Sequence, residues 1–74
     1  MIMLYKLTIK RDRIVNGIRL EKGMTAEVSF QFNNLLGDIN GKELVRNAFL
    51  AKYGIDLKKA CALDTLNLDV QKIN

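Results

Sequence analysis

Histidine is absent from this 74-residue chain, and cysteine occurs once, as Cys61. The commonest metal ligand and proton carrier is therefore missing, and one chain can form neither a disulfide nor a cysteine-based zinc site. The nucleophile candidates, Cys61 and the serine and threonine hydroxyls, have no histidine to activate them. We expect a protein that is not an enzyme, with no catalytic residues, no metal site and no cofactor. Cys61, in the run KKACAL, is expected to pack as a small apolar side chain.

Long apolar runs are also missing. No segment approaches the ~20 apolar residues that a membrane-spanning helix needs, and in MIMLYKLTIKRD the charges follow the apolar stretch, unlike those of a signal peptide. We therefore expect no membrane partner, and the single cysteine favours a reducing, cytoplasmic location. The length predicts one small domain over residues 1–74, which buries roughly 60% of its unfolded surface.

Two segments alternate apolar and polar residues with the period of a β-strand. In residues 3–10 (MLYKLTIK) the odd-numbered side chains share an apolar face, and in residues 24–32 (MTAEVSFQF) the even-numbered ones do, including Phe32. Between them, the Asn16-Gly17 pair predicts a tight hairpin because both positions tolerate positive φ. We predict an N-terminal antiparallel β-meander of about three strands.

From residue 42 the pattern changes to that of an amphipathic helix. Asn40 is predicted to cap its N-terminus, with Glu43 completing a capping box, and Gly54 to end it in a left-handed conformation. The predicted apolar stripe consists of Leu44, Val45, Ala48, Phe49 and Tyr53.

The remaining chain predicts a short second helix and a last strand. Asp56 can cap that helix, Asp64 and Thr65 form a turn, and residues 66–73 (LNLDVQKI) alternate again from Leu66 onward. The order of elements predicts an α+β fold with both helices packed on one face of the sheet. A helix-turn-helix DNA reader is disfavoured because the second helix is short and exposes few polar side chains.

The run LLGDINGKELV resembles a phosphate-binding loop at first sight. Gly37 and Gly41 are separated by only three residues, whereas a phosphate loop has four between its glycines. Glu43 stands where a metal-binding hydroxyl would be needed. We expect no nucleotide or metal to bind at residues 37–43, which we interpret as the start of a helix.

Positive charge is concentrated in the first 22 residues, which hold six basic and only two acidic side chains. The rest of the chain has six of each, so the net charge of +4 arises in the N-terminal strands and turns. A basic β-ribbon suits phosphate backbones, although lysines on strand edges also discourage aggregation. The candidate nucleic-acid patch is Lys6, Lys10, Arg11, Arg13, Arg19 and Lys22.

Three apolar residues, Leu4, Ile39 and Leu50, fall outside the predicted core faces. On so small a domain they are candidates for an interface that adds the burial a monomer lacks. We expect a binding protein whose partner is another protein or a second copy of the chain. Nucleic-acid binding is the alternative.

A family resemblance rests on three runs, GIRLEKGMTAEVSF, GKELVRNAFLAKYGIDLKKA and LNLDVQKI. Together they resemble a family of small Bacteroidetes proteins of unknown function, over nearly the whole chain. The resemblance implies a bacterial cytoplasmic protein, and a mobile genetic element is one place where its gene could lie. It implies no activity, and no catalytic or binding motif carries over from it.

Overall fold

A computed structural model describes residues 2–73 and confirms the α+β class. No helix in this range is long and apolar enough to cross a membrane. The elements in chain order are β1 (Met3–Ile9), β2 (Arg13–Val15), β3 (Ile18–Leu20), β4 (Thr25–Phe30), α1 (Ile39–Tyr53) and β5 (Leu68–Lys72).

β1 is the central strand of a three-stranded antiparallel sheet with the order β4-β1-β5. Leu7 lies opposite Ala26 on one side and Val70 on the other. β2 and β3 form a separate ribbon, which turns at Asn16-Gly17 with φ values of 51° and 78°, as the sequence predicts. The first four strands are therefore not one continuous meander, because the ribbon leaves the sheet before β4 returns to pair with β1.

The core lies between one face of this sheet and α1. Alternate residues of β1 are buried, as expected for a strand covered on one face. Phe49 of α1 is 0% exposed and stacks on Tyr53 with 5.8 Å between ring centroids. The predicted burial of Phe49 is confirmed.

The predicted N-terminal cap of α1, Asn40, is wrong by two residues. The helix begins at Ile39, and Asp38 is its cap, accepting hydrogen bonds from the N–H groups of Asn40 (2.8 Å) and Gly41 (3.3 Å). A carboxylate fits this position because it interacts favourably with the positive end of the helix dipole. Glu43 completes no capping box with Asn40 and contacts Arg46 instead.

The buried stripe of α1 is Gly41, Val45 and Phe49, and Leu44 is 40% exposed, contrary to prediction. The reason is the close approach of the first helical turn to the preceding loop. A Cβ atom on Gly41 would lie 2.0 Å from the carbonyl oxygen of Leu35. The helix therefore turns its glycine face inward, and Leu44 moves to the edge. Glycine at position 41 therefore allows the first turn of α1 to pack against the backbone of Leu35.

The alternating pattern predicts two strands that are longer than the observed ones, β4 at its C-terminal end and β5 at its N-terminal end. Phe32 is 61% exposed because β4 ends at Phe30, which pairs with Met3, the first residue of β1. Leu66 is 70% exposed because its N–H binds the Asp64 carboxylate within a turn, and β5 begins only at Leu68. In both places hydrophobic alternation continues past the end of the strand.

The predicted second helix is a single turn over residues 57–61. Asp56 does cap it, accepting from the N–H groups of Lys58 (3.0 Å) and Lys59 (3.3 Å). The turn ends in a Schellman motif, in which the Cys61 N–H binds the Lys58 carbonyl and Cys61 itself is left-handed with φ 52°. This geometry turns the Cys61 side chain outward between buried neighbours. The prediction that Cys61 packs in the core is therefore wrong.

Candidate functional site

Three of the six predicted basic residues meet at the turn of residues 64–67. Each donates a hydrogen bond to an uncharged oxygen of the turn. Lys10 Nζ binds the Thr65 carbonyl (2.6 Å), Arg11 Nη2 binds the Leu66 carbonyl (3.4 Å), and Arg13 Nη1 binds the Asn67 side-chain oxygen. We name Lys10, Arg11 and Arg13 the basic turn cluster.

The turn that receives these cations is held by Asp64. Its Oδ1 accepts from the N–H groups of Leu66 (3.1 Å) and Asn67 (3.0 Å) and from the Asn67 side-chain amide (2.8 Å). Asn67 is only 4% exposed, and its carbonyl accepts the Lys10 N–H at 2.9 Å. An aspartate that bonds the backbone two and three residues ahead is typical of such turns.

The other three predicted residues have acidic neighbours and do not join the cluster. They are Lys6, which lies opposite Glu27 in the register of β1 and β4, Arg19, whose Nε is 3.3 Å from Glu21, and Lys22, whose N–H binds Asp12. Of these three only Arg19 forms an ion pair within 4.0 Å among the described residues, and the Lys22 contact is made by its backbone N–H. The predicted patch divides into two groups because only Lys10, Arg11 and Arg13 bond the turn of residues 64–67.

No side chain of the basic turn cluster forms an ion pair with a carboxylate in the part of the chain that the structure describes. Within residues 2–73, ion pairs closer than 4.0 Å involve only Arg19 and Arg46 among the cations. Arg11 and Arg13 are exposed, and each donates one hydrogen bond to the turn. A guanidinium has five N–H donors, so most of theirs face solvent.

The fold adds a lysine pair that sequence reasoning missed. The Asn16 side chain, at the tip of the β2–β3 ribbon, donates to the Lys59 carbonyl at 2.8 Å. This contact sets the exposed residues Lys58 and Lys59 beside the ribbon that carries Arg13. The contact spans 43 positions, so no local signal could have revealed it.

Leu4, Ile39 and Leu50 do not form one surface. Leu4 lies on the open face of the sheet, whereas α1, with the exposed residues Ile39 and Leu50, covers the other face. Ile39 and Leu50 are themselves roughly 16 Å apart along the helix. Leu4 neighbours Ile73, whose N–H it accepts at 2.9 Å, and the exposed Ile2. We name Ile2, Leu4 and Ile73 the apolar corner.

Arg46 forms the most completely paired charge cluster of residues 2–73. It binds the Asp56 carboxylate through Nε (3.0 Å) and Nη2 (3.1 Å), and Glu43 through Nη1 (3.4 Å). The Arg46 hydrogen bonds lower the pKa of Asp56 to about 2, and the N–H groups of Lys59 and Lys58 act in the same direction. These contacts join α1 to the turn that follows it.

A shallow groove of about 540 Å³ separates the start of α1 from this turn. Apolar Ile39, Leu57 and Leu63 share it with side chains of both charges. The N–H groups of Asn40 and Gly41 bind the Asp38 carboxylate and that of Lys42 binds the Asp38 carbonyl, so the N–H groups that a phosphate cradle would use are already bonded. No group of three or more cysteine, aspartate or glutamate side chains comes together within residues 2–73.

Comparison with known proteins places the chain in a family. The model of a family of unknown function, DUF6140, matches residues 1–70, and the chain belongs to that family. This match confirms the predicted resemblance to a family of unknown function. No curated protein and no solved structure matches the chain.

Proposed function

We propose that this chain is a non-enzymatic binding domain and that its partner is nucleic acid, bound through phosphates at the basic turn cluster. The convergence of three cations on one turn without a carboxylate partner carries the proposal. Sequence alone favours a protein partner. We prefer nucleic acid because the fold gathers the cations, whereas it separates Leu4 from Ile39 and Leu50.

Phosphate chemistry explains why this arrangement favours a polyanion. The hydrogen bonds to the turn hold one guanidinium nitrogen of Arg11 and one of Arg13 beside it, so fewer rotamers are lost when the remaining donors bind phosphate. Each neutralised phosphate releases counterions whatever the base sequence. The net charge of +4 adds long-range attraction.

Titration of a generic labelled duplex with the protein at several salt concentrations tests the proposal. Affinity should fall steeply with salt, with a logarithmic slope of about −2.7 if three phosphates are neutralised. Failure to bind duplex DNA, single-stranded DNA or RNA even at low salt would contradict nucleic acid as the partner.

Self-association is the second candidate and rests on the edges of the sheet. On β4, the Thr25 carbonyl is covered by Tyr53 (3.0 Å) and Lys52 (2.7 Å) from the end of α1. On β5, the backbone groups of Val70 and Lys72 point outward, and no side chain of residues 2–73 bonds them. The apolar corner adjoins this open edge, which could pair with another chain.

Sedimentation of wild type and Ile73→Glu separates the two candidates. A self-associating protein should form an oligomer at high salt, and a charge in the apolar corner should disperse it. A wild type that stays monomeric at all concentrations contradicts self-association and leaves the nucleic-acid proposal intact.

We further propose a cytoplasmic location and no membrane partner. The proposal is supported by Cys61, an exposed thiol that has no second cysteine in the chain with which to form a disulfide. Cell fractionation with a tagged chain tests it, and recovery in the membrane fraction would contradict it.

A further inference from the structure

Leu66 occupies an unusual place among the exposed apolar residues. It is 70% exposed on the turn that carries the basic turn cluster, and its own carbonyl accepts the hydrogen bond from Arg11. A single exposed leucine is ordinary on a protein surface. This one stands on the turn where three cations meet that form no ion pair within residues 2–73.

The backbone beneath Leu66 is fixed. The Leu66 N–H donates to Asp64, and the next residue, Asn67, is buried and bonded to Asp64, Arg13 and the backbone of Lys10. The turn therefore presents the leucine side chain from a rigid base. Little backbone entropy remains to be lost when that side chain is buried by a partner.

We propose that Leu66 is a wedge that enters a base step of double-stranded DNA while the basic turn cluster binds the flanking phosphates. Apolar side chains inserted between base pairs unstack and bend a duplex, and the burial and added phosphate contacts offset the cost of unstacking. This inference rests on the proposed nucleic-acid function.

Duplex DNA fits the site better than other nucleic acids do. Proteins that bind single strands stack bases on aromatic side chains. The exposed aromatic Phe32 lies beyond the Met3 end of β1, whereas the cluster lies beyond Ile9 at the other end, roughly 20 Å away. The minor groove of an RNA duplex is wide and shallow and offers a wedge little to enter.

Competition between an intact and a singly nicked duplex tests the wedge. A nick lowers the cost of unstacking, so wild type should bind the nicked duplex about tenfold more tightly. Leu66→Ala should lose this preference and keep the salt slope, since no phosphate contact is removed. Leu44→Ala, which shortens an exposed leucine on α1, should behave as wild type.

Energy transfer between the labelled ends of an intact duplex provides the second measurement. Wild type should bring the ends closer, and Leu66→Ala should not. If wild type binds duplex DNA without bending it, or if Leu66→Ala keeps the nick preference, the wedge is wrong and the proposed function stands. If wild type binds no nucleic acid at low salt, both are wrong.

Discussion

Arg46 donates its hydrogen bonds to charged oxygen atoms, whereas the arginines of the basic turn cluster donate theirs to uncharged ones. Arg46 donates to two carboxylates, those of Asp56 and Glu43, which together more than neutralise its charge. Arg11 and Arg13 donate to a carbonyl and an amide oxygen, which are uncharged, and neither arginine forms an ion pair with a carboxylate that the structure describes. The same residue type therefore stabilises the fold at one place and keeps a charge available for a partner at the other.

Because of this difference, we expect the stability of the fold and the affinity for phosphate to depend on different residues. Changes around Arg46 should alter unfolding and leave phosphate affinity unchanged. Changes to the exposed cations of the cluster should do the reverse, because surface substitutions shift stability by about 0.5 kcal/mol or less.

Phe49→Ala should unfold the domain and thereby disrupt both the Arg46 cluster and the basic turn cluster. Phe49 is completely buried, so its truncation should cost about 3–5 kcal/mol, enough to unfold much of so small a domain. Denaturant unfolding followed by circular dichroism measures the loss. The adjacent exposed residue provides the control, since Leu50→Ala should change little. A Phe49→Ala melting temperature close to that of wild type would show that the helix face is wrongly assigned.

Gly41→Ala should destabilise the start of α1 by about 1–3 kcal/mol, because the added methyl group overlaps the Leu35 carbonyl. Gly37→Ala is a matched control, since its methyl group meets only the end of the Asn34 side chain, which can move.

Magnesium with ATP should leave the melting temperature of wild type unchanged. A rise that Gly41→Ala abolishes would instead support a nucleotide site.

Much of the fold could be predicted from local pattern. The strand period of β1, the Asn16-Gly17 turn and the cap at Gly54 are written in neighbouring residues, and all three are confirmed. The ends of elements could not be predicted equally well. Phe32 continues the alternation of β4, but its exposure depends on where the partner strand begins.

The candidate site was predictable only as a concentration of charge. Sequence identified six basic residues but could not divide them, because the division depends on the turn of residues 64–67, more than fifty positions away. It also missed Lys58 and Lys59 for the same reason. Counting charges along the sequence shows where basic residues are concentrated. Which of them meet at one turn depends on contacts between distant parts of the chain.

Asp56→Asn should break the paired cluster and change the response to acid. The folded-state pKa of Asp56, about 2, lies below its ordinary value of 3.8. The pairing therefore adds stability that is complete above about pH 4 and is lost as the pH falls toward 2. The variant should be less stable near neutral pH and lose this acid-dependent step. Asp69→Asn, at an exposed position of β5, should retain the step. Identical acid unfolding of wild type and Asp56→Asn would contradict the role of the pair.

Cys61→Gly should stabilise the turn after Asp56 by about 1 kcal/mol, because glycine adopts the left-handed conformation without strain. The melting temperature should rise by about 4–8 °C for a domain of this size. Cys61→Ala, which retains the Cβ atom, should produce no such rise. Equal melting temperatures for the two variants would mean that Cys61 is not strained.

The contrast between compensated and uncompensated cations is tested most directly by the salt dependence of duplex binding in two variants of equal charge. Lys10→Gln with Arg11→Gln removes two uncompensated cations, whereas Lys6→Gln with Arg19→Gln removes two that have acidic neighbours. The first pair should weaken binding to all sequences and flatten the logarithmic salt slope by about 1.8. The second should leave that slope close to wild type. Equal slopes for the two variants would contradict the claim that the basic turn cluster is the phosphate-binding surface.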